Sequence, residues 1–210
     1  MNHIFLNEIN FLAYRMQISP EQKRALEEKL AGLSPEQMQQ LVRAQCPFCR
    51  IAAKEIAART VYEDDHFMAV LDANPANPGH TILFPKAHYS VLPQLQDALA
   101  AQLFVLAKKL ASIIFAAVSA KGTNIFQASG AVAGQGAPNV VVHIIPRFEG
   151  DDIDFSWEPK KLEDSQLDQI QKQIFEKLGA EVAPPKEKAP EPKPKPEKPK
   201  KLPKVPPRIA

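Results

Sequence analysis

VYEDDHFMAVLDANPANPGHTILFPKAHY, residues 61–89, sets three short β-prone runs between two turn-forming clusters. The runs are 60–63, 67–71 and 81–84. Asp64-Asp65 breaks the first from the second, and residues 74–79, with two prolines and a glycine, break the second from the third. Working outward, residues 94–120 are rich in alanine and leucine, with Leu95, Leu99, Leu103, Leu106, Leu110 and Ile113 at helical spacing. That stretch predicts one long helix ending before Gly122. Two more strand-like runs follow, 124–128 and 140–145, joined by a loop over 129–138. Five strands with a single long helix between the third and fourth describe an α+β fold with a five-stranded antiparallel sheet.

Toward the N-terminus, Ser19-Pro20-Glu21-Gln22 and Ser34-Pro35-Glu36-Gln37 open in the same way. Each is a helix start. The serine accepts from orphan backbone N–H groups, proline suits the first helical position, and the glutamine three residues on completes a capping box. The first helix is expected to reach Leu30 and stop at Gly32, and the second to reach about Ala44, giving a helical hairpin packed on the main domain. Residues 3–16 fit an extension of that hairpin, a segment docking on a partner or one lying on a membrane surface, and their pattern does not choose.

Toward the C-terminus, residues 163–178 read as a last helix closed by Gly179. Beyond it, 10 of the chain's 20 prolines fall in residues 181–210, with eight Lys, one Arg and four Glu. That tail carries +5 (9 − 4), so the overall +2 leaves residues 1–180 at −3. The basic balance belongs to the tail and gives no reason to read the folded part as a nucleic-acid binder. A segment of that composition cannot bury enough apolar surface to order itself, so a disordered tail is expected. The organisation read from the sequence is an N-terminal helical extension (1–45), a main domain (46–150), a segment with a helix (151–180) and the Pro/Lys-rich tail (181–210).

No run approaches 18 uninterrupted apolar residues, and the start lacks a basic leader and a small-residue cleavage site, so neither a membrane span nor a signal peptide is expected. The only two cysteines, Cys46 and Cys49, form C-P-F-C. They suggest a reducing compartment, and the cytoplasm is the expected location. Their two-residue spacing lets both thiolates reach one tetrahedral ion. A reduced pair without metal is the alternative. A thioredoxin-like role is disfavoured, because no strand-forming run precedes the motif.

The order and spacing of CPFC, then VYEDDHFMAVLDANPANPGHTILFPKAHY, then NIFQASGAVAGQGAPNVVVHIIPR resemble the histidine-triad family over residues 46–148. The resemblance implies three histidines at every second position of a strand, where a period of two puts them on one face. The middle one attacks an α-phosphate, the last hydrogen-bonds it, and the first is structural, in some members as a zinc ligand. Aligned without gaps on H-I-I-P-R, the three positions are Asn139, Val141 and His143. Only the last is histidine. Valine has no lone pair, so covalent catalysis at that place is excluded.

By the same resemblance, a nucleoside phosphate such as AMP would meet Asp72 at its ribose and Gln135, Gly134, Gly136 and His143 at its phosphate, with Phe67 and Val70 flanking the base. Ala128 departs from the amide side chain that members often carry there. The implied zinc donors are Cys46, Cys49 and His88, with a fourth from water, Asn139 or elsewhere. His80 is expected to hold its turn by hydrogen bonding, and His66 and His3 to lie at the surface. A homodimer is implied by the resemblance alone. Three functions compete: a nucleotide binder with little or no hydrolase activity, an active nucleotidyl hydrolase or transferase relying on His143, and a non-catalytic scaffold whose tail meets RNA or an acidic protein. No membrane partner is expected.

Overall fold

The structure, a computed structural model, describes residues 19–181. The readings placed on residues 3–16 and on the tail from 182 onward lie outside the described residues. The chain divides into two compact units, one ending at Asp154 and the other beginning at Phe155.

In the first unit, helices α1 (Pro20–Ala31) and α2 (Pro35–Gln45) both carry the complete capping box, with Gln22 N on Ser19 Oγ and Gln37 N on Ser34 Oγ at 3.2 Å. Gly32 caps α1. Helix α1 buries none of its residues fully; Lys23, Leu26, Glu27 and Leu30 are half-buried. Its caps and propensity, rather than a core, shape it. A short helix not foreseen, α3 (Pro47–Ala52), follows at once. Cys46 ends α2 and starts α3: its N–H donates to Val42 O (3.0 Å) and its carbonyl accepts from Arg50 N (3.1 Å). Pro47 occupies the first helical position, where its missing N–H costs nothing.

Strands β1 (Thr60–Glu63), β2 (Phe67–Leu71), β3 (Thr81–Pro85), β4 (Gly122–Gln127) and β5 (Val142–Arg147) form one sheet in the order β1-β2-β3-β5-β4. Every pairing is antiparallel, as expected. The registers matter for function: His143 lies opposite Ile82 on one side and Phe126 on the other.

Helix α4 (Asp97–Ala117) is preceded by a 3-10 turn at Leu92–Gln94 and an extended Leu95-Gln96 link, so it starts later than its composition suggested. Its inner face is Leu103, Ala107, Leu110 and Ile114, not Ile113, which is exposed. By length and composition alone it would cross a bilayer. Its inner face instead packs on Phe67, Ala69, Leu83, Val140, Val142 and Ile144 as a core helix. A second apolar cluster covers the other sheet face: Met68, Val70, Ile82, Phe84 and Val141, with Phe48, Ile51 and Ala52 of α3 packed on it.

The turn before β3 is pinned from two directions. Asn77 Nδ2 donates to Pro146 O and to Asp151 Oδ2, both at 2.8 Å. Arg147 grips Asp151 with Nε (2.7 Å) and Nη2 (2.8 Å), and Asn124 Oδ1 with Nη1 (2.6 Å). Gly79 has φ +87°, and a Cβ there would come within 3.0 Å of Val118 and 3.3 Å of Pro146, so glycine is required twice over.

In the second unit, α5 (Asp164–Glu181) runs through Gly179, because one glycine in a last turn costs about 1 kcal/mol and does not forbid the helix. Leu167, Ile170, Ile174 and Leu178 form an exposed apolar stripe along it.

Leu103, fully buried between α4 and the sheet, tests this core. Leu103→Ala is expected to lower the unfolding free energy by about 2–5 kcal/mol. Val132→Ala, at an exposed position, should stay within about 0.5 kcal/mol of the parent. Urea denaturation of both variants checks this.

Candidate functional site

Residues 139, 141 and 143 project to the sheet face opposite α4, because Val140, Val142 and Ile144 between them are core beneath that helix. The three side chains sit in three different surroundings.

His143, half-buried, meets His80: the two rings approach with His80 Nε2 and His143 Nδ1 at 3.0 Å. The network assigns the protons. His80 Nδ1 accepts from Ala76 N–H at 3.1 Å, so that nitrogen carries the lone pair and Nε2 carries the hydrogen. His80 therefore donates to His143 Nδ1, which leaves the His143 proton on its own Nε2. Burial pushes both imidazoles below the ordinary histidine value. His80 adds further repulsion at His143, while Asp72 opposes the shift at both rings. The result is a neutral imidazole with an N–H as its free polar group, suited to donate to an anionic oxygen.

Asp72 stands at the end of β2. One carboxylate oxygen accepts from Asn74 N (2.8 Å), and the other lies 3.6 Å from His80 Nδ1. Asp72, His80 and His143 thus form one cluster, with ligand-type atoms within 4.8 Å of one another. His80 was expected to hold its turn, which it does through Ala76. Its contact with His143 was not foreseen, because it depends on the β3–β5 register. His66 is exposed, as expected.

Val141 is buried and belongs to the apolar cluster of Met68, Val70, Ile82 and Phe84. Val70 therefore shares the His143 face. Phe67 does not: it packs under α4 on the opposite face of the sheet and cannot flank a ligand on the His143 face. Phe48 and Ile51, which sequence reasoning passed over, supply the apolar cover instead. Phe48 stacks on Phe84 with ring centres 4.9 Å apart.

Gln135 is also placed differently from the expectation. Its Nε2 donates to Ser90 O (2.7 Å), Ala137 O (2.8 Å) and Asn139 O (3.2 Å), while its Oε1 accepts from Gly130 N (2.6 Å). Both amide hydrogens are used on backbone carbonyls of the loop and of Ser90, so the side chain shapes the loop rather than facing a phosphate. Gly134 N–H is likewise spent on Ala131 O, at 3.0 Å. Gly136 remains the loop glycine without a backbone acceptor among the bonds described.

Asn139, the first of the three positions, is 1% exposed and faces the cysteines. Cys46, Cys49 and His88 bring two sulfurs and a ring nitrogen within 4.8 Å of one another, with Cys49 Sγ 3.3 Å from His88 Nδ1. Donors of a tetrahedral zinc ion are separated by about 3.6–3.8 Å, given Zn–S of about 2.3 Å and Zn–N of about 2.0–2.1 Å, so the set fits. A hydrogen bond from Cys49, helped by His88, holds the Cys46 thiol down to about 5 against its burial.

The imidazole pair has a pH consequence. Its folded values lie below the unfolded value near 6.5, so the unfolded chain takes up protons first as pH falls. Stability present above about 6.5 is therefore lost progressively below it. Unfolding free energies at pH 7.5 and 5.5 should show this drop, and His143→Ala should shrink it. Nitrogen-15 NMR at pH 7.5 should find both rings neutral with the proton on Nε2.

The HIT domain family model matches residues 53–150. An uncharacterized HIT-like protein of Methanocaldococcus jannaschii is 42% identical over 106 residues, which are 50% of this chain and 81% of that protein. The adenosine 5'-monophosphoramidase of Saccharomyces cerevisiae is 29% identical over 136 residues, 64% of this chain and 84% of its own. Among solved structures, a Streptococcus mutans protein superposes with a TM-score of 0.61 at 33% identity, covering 64% of this chain and 85% of that one. A Zn-bound histidine triad family protein from Mycobacterium smegmatis gives a TM-score of 0.51 at 26% identity, covering 66% and 98%.

Proposed function

This chain belongs to the histidine-triad family, and we propose that it binds a nucleoside phosphate while turning it over little or not at all. The observation that carries the reading is the pairing of Val141, sealed into an apolar cluster at the nucleophile's place, with a His143 whose Nδ1 is occupied by His80. Valine offers no electron pair to phosphorus. His143 keeps a donor N–H but no free lone pair, so it supports an anionic oxygen rather than attacking the phosphorus beside it. Losing a covalent nucleophile costs on the order of 10⁴–10⁶ in rate.

In this reading the His143 Nε2–H donates to the phosphate and Asp72 receives ribose hydroxyls. Val70, Phe48 and Ile51 supply apolar cover for the base. The Gly136 N–H is a further loop donor in this reading, with Gln135 holding the loop in shape. Relatives such as the yeast monophosphoramidase support a nucleotide as the ligand class. We further read Cys46, Cys49 and His88 as holding zinc, in line with the Zn-bound relative. When bound, zinc supplies a cross-link between the start of α3 and the segment after β3.

The assembly we propose is a homodimer. β4 is a sheet edge with Ile125 and Phe126 exposed, and the outer face of α4 exposes Phe104, Val105, Ile113 and Phe115. Exposed apolar surface of that extent supports a self-complementary contact. Sedimentation of Phe104→Glu with Ile113→Lys should shift the protein toward monomer.

Calorimetric titration with AMP, run beside an adenosine phosphoramidate turnover assay, tests the main reading. Binding without turnover is expected, with affinity lost on His143→Ala. Val141→His should raise turnover by about 10² or more, since it restores the missing group. Parent turnover that vanishes with His143→Ala would establish the enzymatic alternative instead, and absence of any nucleotide binding would leave only a scaffold.

A further inference from the structure

Asn139 decides what kind of metal site the cysteines make. Its side chain is fully enclosed and reaches two neighbours: Nδ2 lies 3.6 Å from Cys46 Sγ, and Oδ1 lies 3.5 Å from Tyr89 N. The orientation of the amide follows from chemistry. Tyr89 N–H is a donor, so the group facing it must be the oxygen. Turning the amide over would set NH₂ against N–H and aim oxygen lone pairs at a sulfur that must be thiolate to bind metal. The NH₂ therefore faces Cys46.

An amide nitrogen has no lone pair to offer a cation. It can only donate a hydrogen bond to the sulfur. Rotating the amide to present its oxygen would take the acceptor from Tyr89 N–H, and the backbone around it is held in place. Asn139 N donates to Ala137 O (2.8 Å), Asn139 O accepts from Gln135 Nε2 (3.2 Å), and Val140 N donates to Tyr89 O (2.6 Å).

We infer that, among the described residues, this site gives its metal three protein donors, Cys46, Cys49 and His88, and leaves the fourth position exchangeable. It would be taken by water or by a small external donor such as an imidazole or a thiolate. Asn139 steadies the Cys46 thiolate by hydrogen bonding and does not ligate. The inference rests on the zinc reading above and goes beyond it, because a structural tetrahedral site is closed by four protein ligands whereas an open position is the mark of exchange or catalysis. Access is available: Cys46 is shut off from solvent, but Cys49 and His88 are each partly exposed.

Cobalt(II) reports coordination through its visible bands and is the probe. The full-length reduced protein, loaded with one equivalent of cobalt, should show thiolate-to-metal charge transfer, and adding millimolar imidazole should shift the ligand-field bands. In Asn139→His, imidazole should cause no shift, because the new ring fills the fourth place. In Asn139→Ala the imidazole response should persist while metal affinity falls about 10–100-fold, as the sulfur loses its donor. Cobalt bound with bands blind to imidazole in the parent would overturn this inference and leave the zinc reading standing. No cobalt binding at all would overturn both.

Discussion

The alternation of side chains along the segment from Asn139 into β5 governs this structure. Val140, Val142 and Ile144 must enter the core beneath α4, so Asn139, Val141 and His143 are committed to the other face. A slip of one residue would bury an imidazole under the helix and expose three aliphatic side chains. Registry with β3 and β4 then fixes what His143 meets, namely Ile82, Phe126 and, through the adjoining turn, His80. The Asn77–Asp151–Arg147 brace ties that turn to the same strand's end, so one strand sets both partners of the imidazole pair.

Val141 also matters for packing. A histidine there would need hydrogen-bonding partners among Met68, Val70, Ile82 and Phe84, none of which has a side chain that offers one. Valine satisfies the site with methyl groups and suits the extended backbone. The short helix α3 gains from this, since Phe48 and Ile51 close over a continuous apolar surface. Valine at 141 gives this face a continuous apolar floor, with His143, His80 and Asp72 at its border.

The Cys46 junction links the N-terminal helices to that floor. One residue ends α2, begins α3, presents a thiol to Cys49 and His88, and receives the Asn139 amide. Asn139 is in turn held by Gln135, whose four hydrogen bonds also organise the loop between β4 and β5. The cysteine cluster and the loop between β4 and β5 therefore share a set of backbone contacts, although their chemistries are separate.

The sequence by itself determined the five strands, the long helix, both capped N-terminal helices and a valine, with no lone pair, at position 141. These rest on local rules: turn residues, capping chemistry, two-residue and 3.6-residue periods, and the absence of a lone pair in a hydrocarbon side chain. Only the tertiary structure decided that His80 meets His143, that Gln135 turns into its own loop, that Phe67 is core while Phe48 is cover, and that Asn139 offers nitrogen rather than oxygen to Cys46. Each of these depends on strand register or on which of two donors a carbonyl oxygen faces across long chain separations. Such pairings are settled by satisfying buried polar groups in three dimensions, and no local pattern encodes them.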